Sequence, residues 1–237
     1  MFEVQFDEWE PIYEAILDDF SFDRAADERA RDVLAPLTGS FDLDLLKHVR
    51  GKRVTIAGAG PSLESPASID RLRNASHIFA ASGAATRLLE YGISIDCMVT
   101  DVDSDGEVNT IDQLTARETP VAIHAHGDNI DILRSVVPRC TDAYVLPTTQ
   151  AAPLDPVINV GGFTDGDRAA FLADELGVST LAFVGWDFDD SSVTETKAQK
   201  LEWARRLLHW LELRRGEQFK VLDGWRQSID MSLFPSA

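Results

Sequence analysis

The sequence has 237 residues, 44% of them hydrophobic, and contains no apolar stretch near the roughly 20 residues that a membrane-spanning helix needs. Its 40 acidic and 22 basic residues give a net charge of −18. Nucleic acids and anionic membranes are therefore disfavoured as partners, because their phosphates would be repelled. The first residues lack the basic start and apolar run of a signal peptide, so we expect a cytoplasmic protein.

The balance of charged residue types also indicates the source of the chain. Only five of its bases are lysines. Acid-rich, lysine-poor surfaces suit a cytoplasm at high salt, where screening shortens to about 3 Å at 1 M. We interpret the source as halophilic, with an ordinary acidic bacterial protein as the alternative. Cys97 and Cys140 are the only cysteines, and we expect two buried thiols rather than a disulfide or a zinc site.

Residues 1–50 are predicted to form a helical segment. Apolar residues recur at three- and four-residue spacing between Trp9 and Phe20, as on one buried face of a helix. A second short helix is expected between Leu43 and Val49. Because this segment has no glycine-rich loop and no polar cluster of chemical interest, we interpret it as a helical cap or an interface.

From residue 51 to residue 237 we expect one α/β catalytic domain. Short apolar runs alternate with helical patterns, and the last helix is expected at 195–213. Such alternation predicts crossover connections and a mainly parallel sheet in a three-layer, Rossmann-like fold. The apolar runs are residues 54–57, 78–81, 95–100, 121–124, 143–146, 181–184 and 219–222.

Ligands of open parallel sheets bind beyond the carboxyl ends of the strands. The first of these ends carries a GAGPS turn, whose glycines allow close approach of a ligand and whose following helix start favours an anion. The turn lacks both the lysine of a Walker loop and the third glycine of the dinucleotide fingerprint. We expect phosphate or ribose contact here, with a tight turn that binds nothing as the alternative. The candidate residues are Gly58, Gly60, Pro61 and Ser62.

An acidic turn follows the third predicted strand. Asp101, Asp103 and Asp105 lie within five residues of one another, and their charges repel unless a cation or solvent neutralises them. Carboxylate oxygens are ligands that Mg²⁺ accepts, together with phosphate oxygens and water. The position directly after a strand favours a magnesium site over a solvated loop.

The fourth strand ends in HAHGDN. Alternation along an extended chain predicts His124 and His126 on the same side, with Asp128 and Asn129 following. Because no third ligand stands at a zinc spacing, we favour contact with phosphate or substrate over a zinc site.

Two further strand ends carry candidate residues. The loop that contains Gly161, Gly162, Phe163, Thr164 and Asp165 opens a helix. Thr164 or Asp165 is expected to cap that helix, and Phe163 belongs either to the core or to a surface that stacks on a flat ligand.

The last strand end places Asp187 between two aromatic residues. Downstream, Lys197 and Lys200 are expected on one face of the same helix. Since they are two of only five lysines, we interpret them as ligands of a polyphosphate. The alternative is a solvated helix face that forms ion pairs with neighbouring glutamates.

Taken together, these motifs resemble the archaeal 6-hydroxymethyl-7,8-dihydropterin pyrophosphokinases, a family distinct from the bacterial enzyme of the same activity. The resemblance covers residues from about 50 to 215, and the acidic composition is similar to that of a haloarchaeal member. The segments that carry it are GAGPSLE (58–64), VTDVD (99–103), HAHGDN (124–129), GGFTDGDRA (161–169) and GWDF (185–188).

The family is similar in its catalytic domain to thiamine pyrophosphokinase, whose metal-binding Asp-x-Asp-Ser pattern is matched here from Asp101 to Ser104. The resemblance implies transfer of a diphosphate from ATP to the pterin hydroxymethyl group with release of AMP, and a requirement for Mg²⁺. The product would feed tetrahydromethanopterin or folate synthesis. A glycine is expected soon after the second acid, so the role of Asp105 stays open, as does assembly into a homo-oligomer.

The implied mechanism depends on positioning and on neutralising phosphate charge. Asp101 and Asp103 would hold Mg²⁺ on ATP, and the two lysines of the long helix would offset charge. Either Asp187 or Asp128 would accept the alcohol proton or bind pterin nitrogens. Phe163 or Trp186 would stack on the pterin ring.

Three other functions are compatible with parts of the sequence. An Asp-x-Asp pair also holds the metal of nucleotide-sugar glycosyltransferases. The run from Asp103 to Gly106 is similar to the Asp-x-Asp-Gly of haloacid-dehalogenase-type phosphatases, although Glu107 stands where that family has threonine. The non-enzymatic alternative is a regulatory module that binds a nucleotide through the same loops.

Overall fold

A computed structural model describes residues 5–103 and 105–235, without the side chain of Asp105. Within this part of the chain, a six-stranded sheet has the order β5-β4-β3-β2-β1-β6, and every neighbouring pair is parallel. Helical connections carry the chain from each strand to the next, as parallel pairing requires. The strands are β1 (Arg53–Ala57), β2 (Ile78–Ala81), β3 (Cys97–Thr100), β4 (Val121–Ala125), β5 (Val145–Thr149) and β6 (Thr180–Val184).

Helices cover both faces of this sheet. Apolar side chains alternate along each strand, so that Ile56 joins the core under one helical layer and Ala57 the core under the other. One layer comprises α1 (Phe6–Phe20), α7 (Asp165–Glu175) and α8 (Glu195–Arg215). The other comprises α2 (Arg24–Leu34), α3 (Pro66–Arg73), α4 (Ser82–Glu90), α5 (Asp105–Ala116) and α6 (Ile130–Val136). The predicted three-layer α/β fold with N-terminal helices is confirmed.

The strand order reverses beside β1. From β1 to β5 the chain moves steadily towards one edge of the sheet, and then β6 returns to pair with the other side of β1. The connections that leave β1 and β6 pass to opposite layers, α3 to one and α8 to the other. A crevice therefore opens between the carboxyl ends of these two strands, which is where doubly wound sheets bind ligands.

Several elements differ from the sequence-based expectation. Residues 219–222, one of the apolar runs expected of the sheet, form a short 3₁₀ turn at Lys220–Leu222 instead of a strand. Phe219 and Leu222 are buried three positions apart, which suits the period of a 3₁₀ turn. Leu43–Val49 is likewise a 3₁₀ helix, and α2 lies within the predicted helical segment although it was not predicted as a separate helix.

Two further expectations concern exposure. Both cysteines are free, with Cys97 buried and Cys140 only partly so. None of the helices in the described ranges combines the length and the apolarity that crossing a membrane demands.

Candidate active site

The acidic turn lies directly after β3 and is bent in an unusual way. Val102, between Asp101 and Asp103, has a φ of 56°, which a β-branched residue rarely adopts. Its side chain is buried, and its N–H donates to the hydroxyl of Thr100 at 2.9 Å. Surrounding contacts thus hold a conformation that the local sequence disfavours, and such strain is typical of functional sites.

A third carboxylate, which the sequence analysis missed, completes this turn. Glu107 lies in the first turn of α5, and its ligand atom falls within 4.8 Å of those of Asp101 and Asp103. The Thr100 hydroxyl donates to Glu107 Oε2 at 2.8 Å. The sequence does carry a signal for Glu107, because an acid soon after the Asp-x-Asp pair and at the start of the next helix could reach the same ion. Ser104 and the side chain of Asp105 lie outside the described residues.

The electrostatics of this trio, Asp101, Asp103 and Glu107, favour a cation. Burial raises the pKa of Glu107 to about 7, a hydrogen bond from Thr100 opposes the rise, and the charges of Asp103 and Asp101 add to it. Three hard oxygen donors that repel one another match the ligands that Mg²⁺ accepts. The residues present therefore fit a magnesium ion.

The start of α7 brings a fourth acid and a buried arginine to the same region. Asp165 accepts hydrogen bonds from the Ser82 hydroxyl at 2.8 Å and from Arg168 at 3.4 Å. Burial raises the pKa of Asp165 well above its usual range, and the charge of Asp101 adds to the rise. Arg168 is 5% exposed and also donates to Gln150 at 3.2 Å. It was not among the predicted site residues.

The loop before α7 fixes these two side chains in place. Thr164 is the N-cap, as one of the two predicted alternatives had it. Its N–H and hydroxyl donate to Asp167 at 3.0 and 2.7 Å. Gly162 has a φ of 89°, and an added Cβ would lie 2.7 Å from the backbone of Arg168. Gly161 packs against Phe171 in the same way, so both glycines shape the loop.

One cavity, of about 190 Å³, lies at the crevice between β1 and β6, and we call it the glycine-loop cavity. Its wall includes Gly58, Gly60, Pro61, Asp165 and Lys197. An added Cβ on Gly60 would lie 2.3 Å from the Asp187 carboxylate and 2.8 Å from the carbonyl of Gly185. Glycine at position 60 therefore permits close approach of the two strand-end loops.

The turn at residues 58–62 is less open to a phosphate than expected. The N–H groups of Gly58 and Gly60 donate to carbonyls at the end of β6, and that of Ser62 donates to Asp187 at 2.8 Å. Trp186 also lines this cavity and donates its indole N–H to the carbonyl of Ile56. Phosphate binding by this turn stays a prediction, since three of its N–H groups are already bonded within the protein.

A second cavity, of about 290 Å³, lies beyond the ends of β4 and β5, and we call it the helix-side cavity. Residues from the α1–α2 connection and from α2 form one wall, and Asp101, His126 and Asp128 line it as well. The N-terminal segment thus contributes polar groups to a cavity, which the sequence analysis did not expect. The missed residue of most interest is Asp27.

Asp27 is a buried carboxylate at this cavity, with a 4% exposed side chain. Its oxygens accept hydrogen bonds from Tyr13 at 2.9 Å, from Gln150 at 2.7 Å and from the N–H of Gly127 at 2.8 Å. These three donors come from three separate parts of the chain, and none of them belongs to α2 itself. The pattern of the sequence therefore gave no signal for this residue.

The two lysines of α8 separate in the structure. Lys197 lines the glycine-loop cavity, whereas Lys200 lines the helix-side cavity and lies 5.8 Å from the centre of the Phe163 ring. The hypothesis that both serve one polyphosphate is therefore not supported by their placement. Phe163 is 5% exposed and belongs to the core, and it also lines the helix-side cavity.

The histidines of β4 also separate. His126 lies at the cavity with Nε2 3.6 Å from Asp101, and burial lowers its pKa although Asp101 opposes this. His124 is 2% exposed and its Nδ1 lies 3.1 Å from the Thr148 hydroxyl, so its ring is buried. Asn129 donates to the carbonyls of Asp101 and His124, both at 2.7 Å. Neither residue is among those that line the two named cavities, and their contact with phosphate or substrate stays a prediction.

A protein family and several known proteins that share one described activity are similar to this chain over most of its length. Residues 35–193 match the family described as "6-hydroxymethylpterin diphosphokinase MptE-like". Two relatives are named 6-hydroxymethyl-7,8-dihydropterin pyrophosphokinase: that of Pyrococcus furiosus is 39% identical over 88% of this chain and 95% of its own length, and that of Methanothermobacter thermautotrophicus is 37% identical over 86% and 94%.

A third relative with the same name, from Methanocaldococcus jannaschii, is 33% identical over 86% of this chain and 95% of its own length. The matched region contains the three carboxylates, every strand and the start of α7. The chain belongs to the MptE-like 6-hydroxymethylpterin diphosphokinase family.

Proposed function

We propose that this protein transfers the diphosphate of ATP to the hydroxymethyl group of 6-hydroxymethyl-7,8-dihydropterin and releases AMP. The observation that carries the proposal is the family match over residues 35–193. This range includes the strand-end loops that line the two cavities, and the three carboxylates of the acidic turn. The relatives named for this activity support it over nearly their whole length. The product then enters methanopterin or folate biosynthesis.

Magnesium is assigned to the acidic turn. Asp101 and Asp103 are its proposed ligands, and Glu107 is a third carboxylate within reach of the same ion. When bound, Mg²⁺ neutralises the charge on the transferring phosphates. The hydrogen bond from Thr100 fixes Glu107, and the bend at Val102 fixes the other two acids, so the protein needs little rearrangement to bind the ion.

The glycine-loop cavity is the proposed ATP site. It lies where the strand order reverses, between β1 and β6, and Lys197 supplies a positive charge for the phosphates. Asp165 lines the same cavity and is electrostatically close to Asp101, so the phosphate end of ATP would meet the metal at this point. The crevice position supports this assignment.

The helix-side cavity is the proposed pterin site. The amino group and ring N–H of a pterin are donors, which suit the carboxylates of Asp27 and Asp128. Asp27 is held by three donors, and two carboxylate oxygens offer about four acceptor positions, so one position is left for a ligand. The edge of Phe163 offers an apolar contact for the ring.

Placement also separates the two acids considered for the alcohol proton. Asp128 lines the cavity proposed for the pterin, whereas Asp187 lines the glycine-loop cavity and already accepts from the N–H of Ser62. We therefore assign Asp128 to the acceptor substrate and Asp187 to closing the turn that follows β1.

The direct test is incubation of the protein with ATP, Mg²⁺ and hydroxymethyl-dihydropterin, followed by separation of the nucleotides. AMP and pterin diphosphate should form in equal amounts, and a chelator should stop the reaction. Formation of ADP, or no turnover even at molar KCl, contradicts the proposal. Hydrolysis of a sugar nucleotide without AMP would instead favour a glycosyltransferase.

The conditions of the reaction are a separate proposal. A net charge of −18 with five lysines supports a halophilic protein, and ATP as the donor supports a cytoplasmic location. We expect activity to rise between 0.1 and 2 M KCl, on the order of severalfold, as screening relieves self-repulsion. Loss of activity over that range would contradict the halophilic interpretation.

A further inference from the structure

A second cluster of ligand-type side chains lies at the amino edge of the sheet, opposite the acidic turn. His48 belongs to the 3₁₀ helix before β1, His77 directly precedes β2, and Asp96 directly precedes β3. Asp96 Oδ1 lies 2.7 Å from Nε2 of His48 and 3.1 Å from Nδ1 of His77. The three ligand atoms all fall within 4.8 Å of one another.

His48 and Asp96 are each oriented by a hydrogen bond at the ring or carboxylate atom that does not face the other ligand. Nδ1 of His48 lies 3.2 Å from the carbonyl of Leu45. Because a carbonyl only accepts, Nδ1 donates to Leu45, and this bond orients the ring so that Nε2 faces Asp96. The other oxygen of Asp96 accepts from the N–H of Ile78 at 2.8 Å. Metal-binding histidines are oriented in this way by backbone carbonyls.

The atoms that face one another in this cluster are two imidazole nitrogens and a carboxylate oxygen, all of them metal-ligand types. Without a metal ion, Nε2 of His48 and Oδ1 of Asp96 share a hydrogen bond of 2.7 Å, and a metal ion would take the place of its proton. The side chains of His48, His77 and Asp96 are 46%, 19% and 19% exposed, so an ion can enter and keep water as further ligands. Two imidazoles with one carboxylate favour a borderline divalent metal over Mg²⁺.

We propose that His48, His77 and Asp96 form a second metal site, which binds Zn²⁺ or a similar transition-metal ion. The ion ties the segment before β1 to the starts of β2 and β3. Its role is to stabilise the fold, because its three ligands come from three separate segments of the chain. The site is independent of the diphosphotransfer proposed above.

Imidazole nitrogen NMR tests the proposal directly, since the chain has only five histidines. The full-length protein is titrated with ZnCl₂ in excess Mg²⁺, which occupies the acidic turn. We expect Nε2 of His48 and Nδ1 of His77 to shift together at one equivalent, with a dissociation constant of about 10 µM or less. Shifts confined to His126, or none up to millimolar Zn²⁺, would overturn the proposal and leave a hydrogen-bonded cluster.

Variants provide the matched controls. His48→Ala should weaken Zn²⁺ binding at least about tenfold and abolish the rise in melting temperature that Zn²⁺ gives the wild type. His209→Gln removes a histidine that pairs with Glu212 on α8, and it should leave both readouts unchanged. Equal effects of the two variants would refute the assignment. Asp96→Asn, which keeps an acceptor for Ile78, should weaken binding as His48→Ala does.

Discussion

At the carboxyl edge of the sheet, three carboxylates crowd a bend, and one of them, Asp101, lines the helix-side cavity. At the amino edge, two histidines share one aspartate near the surface. Both clusters are built by residues next to β3, since Asp96 precedes it and Asp101 follows it. The carboxyl-edge donors are all hard oxygens and include a buried acid, and the amino-edge donors are mostly nitrogen. The same strand therefore presents two ligand sets suited to different metals.

The largest expected effect lies at the carboxyl edge. Asp103→Asn removes a proposed metal ligand and should lower kcat by about 10³-fold or more, because phosphoryl transfer depends on neutralised charge. The measurement is AMP formation at saturating substrates. Asp70→Asn, on the exposed side of α3, is the matched control and should keep wild-type activity. Asp103→Asn activity within tenfold of the wild type would argue against metal binding at this turn.

A smaller effect is expected in the helix-side cavity. Asp27→Asn weakens the acceptor for pterin donors and should raise KM for the pterin by about 10- to 100-fold, with KM for ATP unchanged. Tyr13→Phe removes one hydrogen bond to Asp27 and serves as the control, with a change in pterin KM of no more than about threefold. If KM for ATP rises instead, the assignment of the two cavities is reversed.

The raised pKa of Glu107 predicts an effect on stability that depends on pH. Its pKa is about 7 in the folded chain against an ordinary 4.5, so without metal the charged form opposes folding above pH 7. Glu107→Gln should therefore raise the free energy of unfolding of the metal-free protein by about 1 to 3 kcal/mol at pH 8. Because wild-type Glu107 takes up a proton as the pH falls from 7 towards 4.5, the gain should shrink over that range.

Chemical denaturation with a chelator present measures this change, and Mg²⁺ titration provides the complement. The variant should bind Mg²⁺ more weakly than the wild type, on the order of tenfold. If the variant is less stable than the wild type at pH 8, then the negative charge of Glu107 is compensated within the metal-free protein, and the prediction is wrong.

The smallest expected effect on catalysis lies at the amino edge. His48→Ala should leave kcat and both KM values within about twofold of the wild type, since surface substitutions away from a site rarely exceed 0.5 kcal/mol. Steady-state kinetics with excess Mg²⁺ provide the comparison. A large loss of activity would mean that the two edges of the sheet are coupled.

The sequence predicted the sheet and the acidic turn well because both signals are local. Asp101 and Asp103 stand two positions apart along the chain and follow a buried strand that belongs to a mostly apolar run. The bounds of helix α2 within the predicted helical segment were not found, because its apolar face is carried by few large residues, such as Leu34. Asp27 could not be found, since its partners are 14, 100 and 123 positions away. Long-range polar contacts leave no periodic trace in a sequence.

The left-handed bend at Val102 has a consequence for the thermodynamics of metal capture. A flexible acidic loop would lose conformational freedom when it closes on an ion, and that loss would weaken binding. Here Thr100 and the buried Val102 side chain restrict the loop before any ion arrives. The entropy lost in ordering this loop is thus lost during folding. The free energy of ion binding should therefore depend mainly on the cost of removing water from the ion.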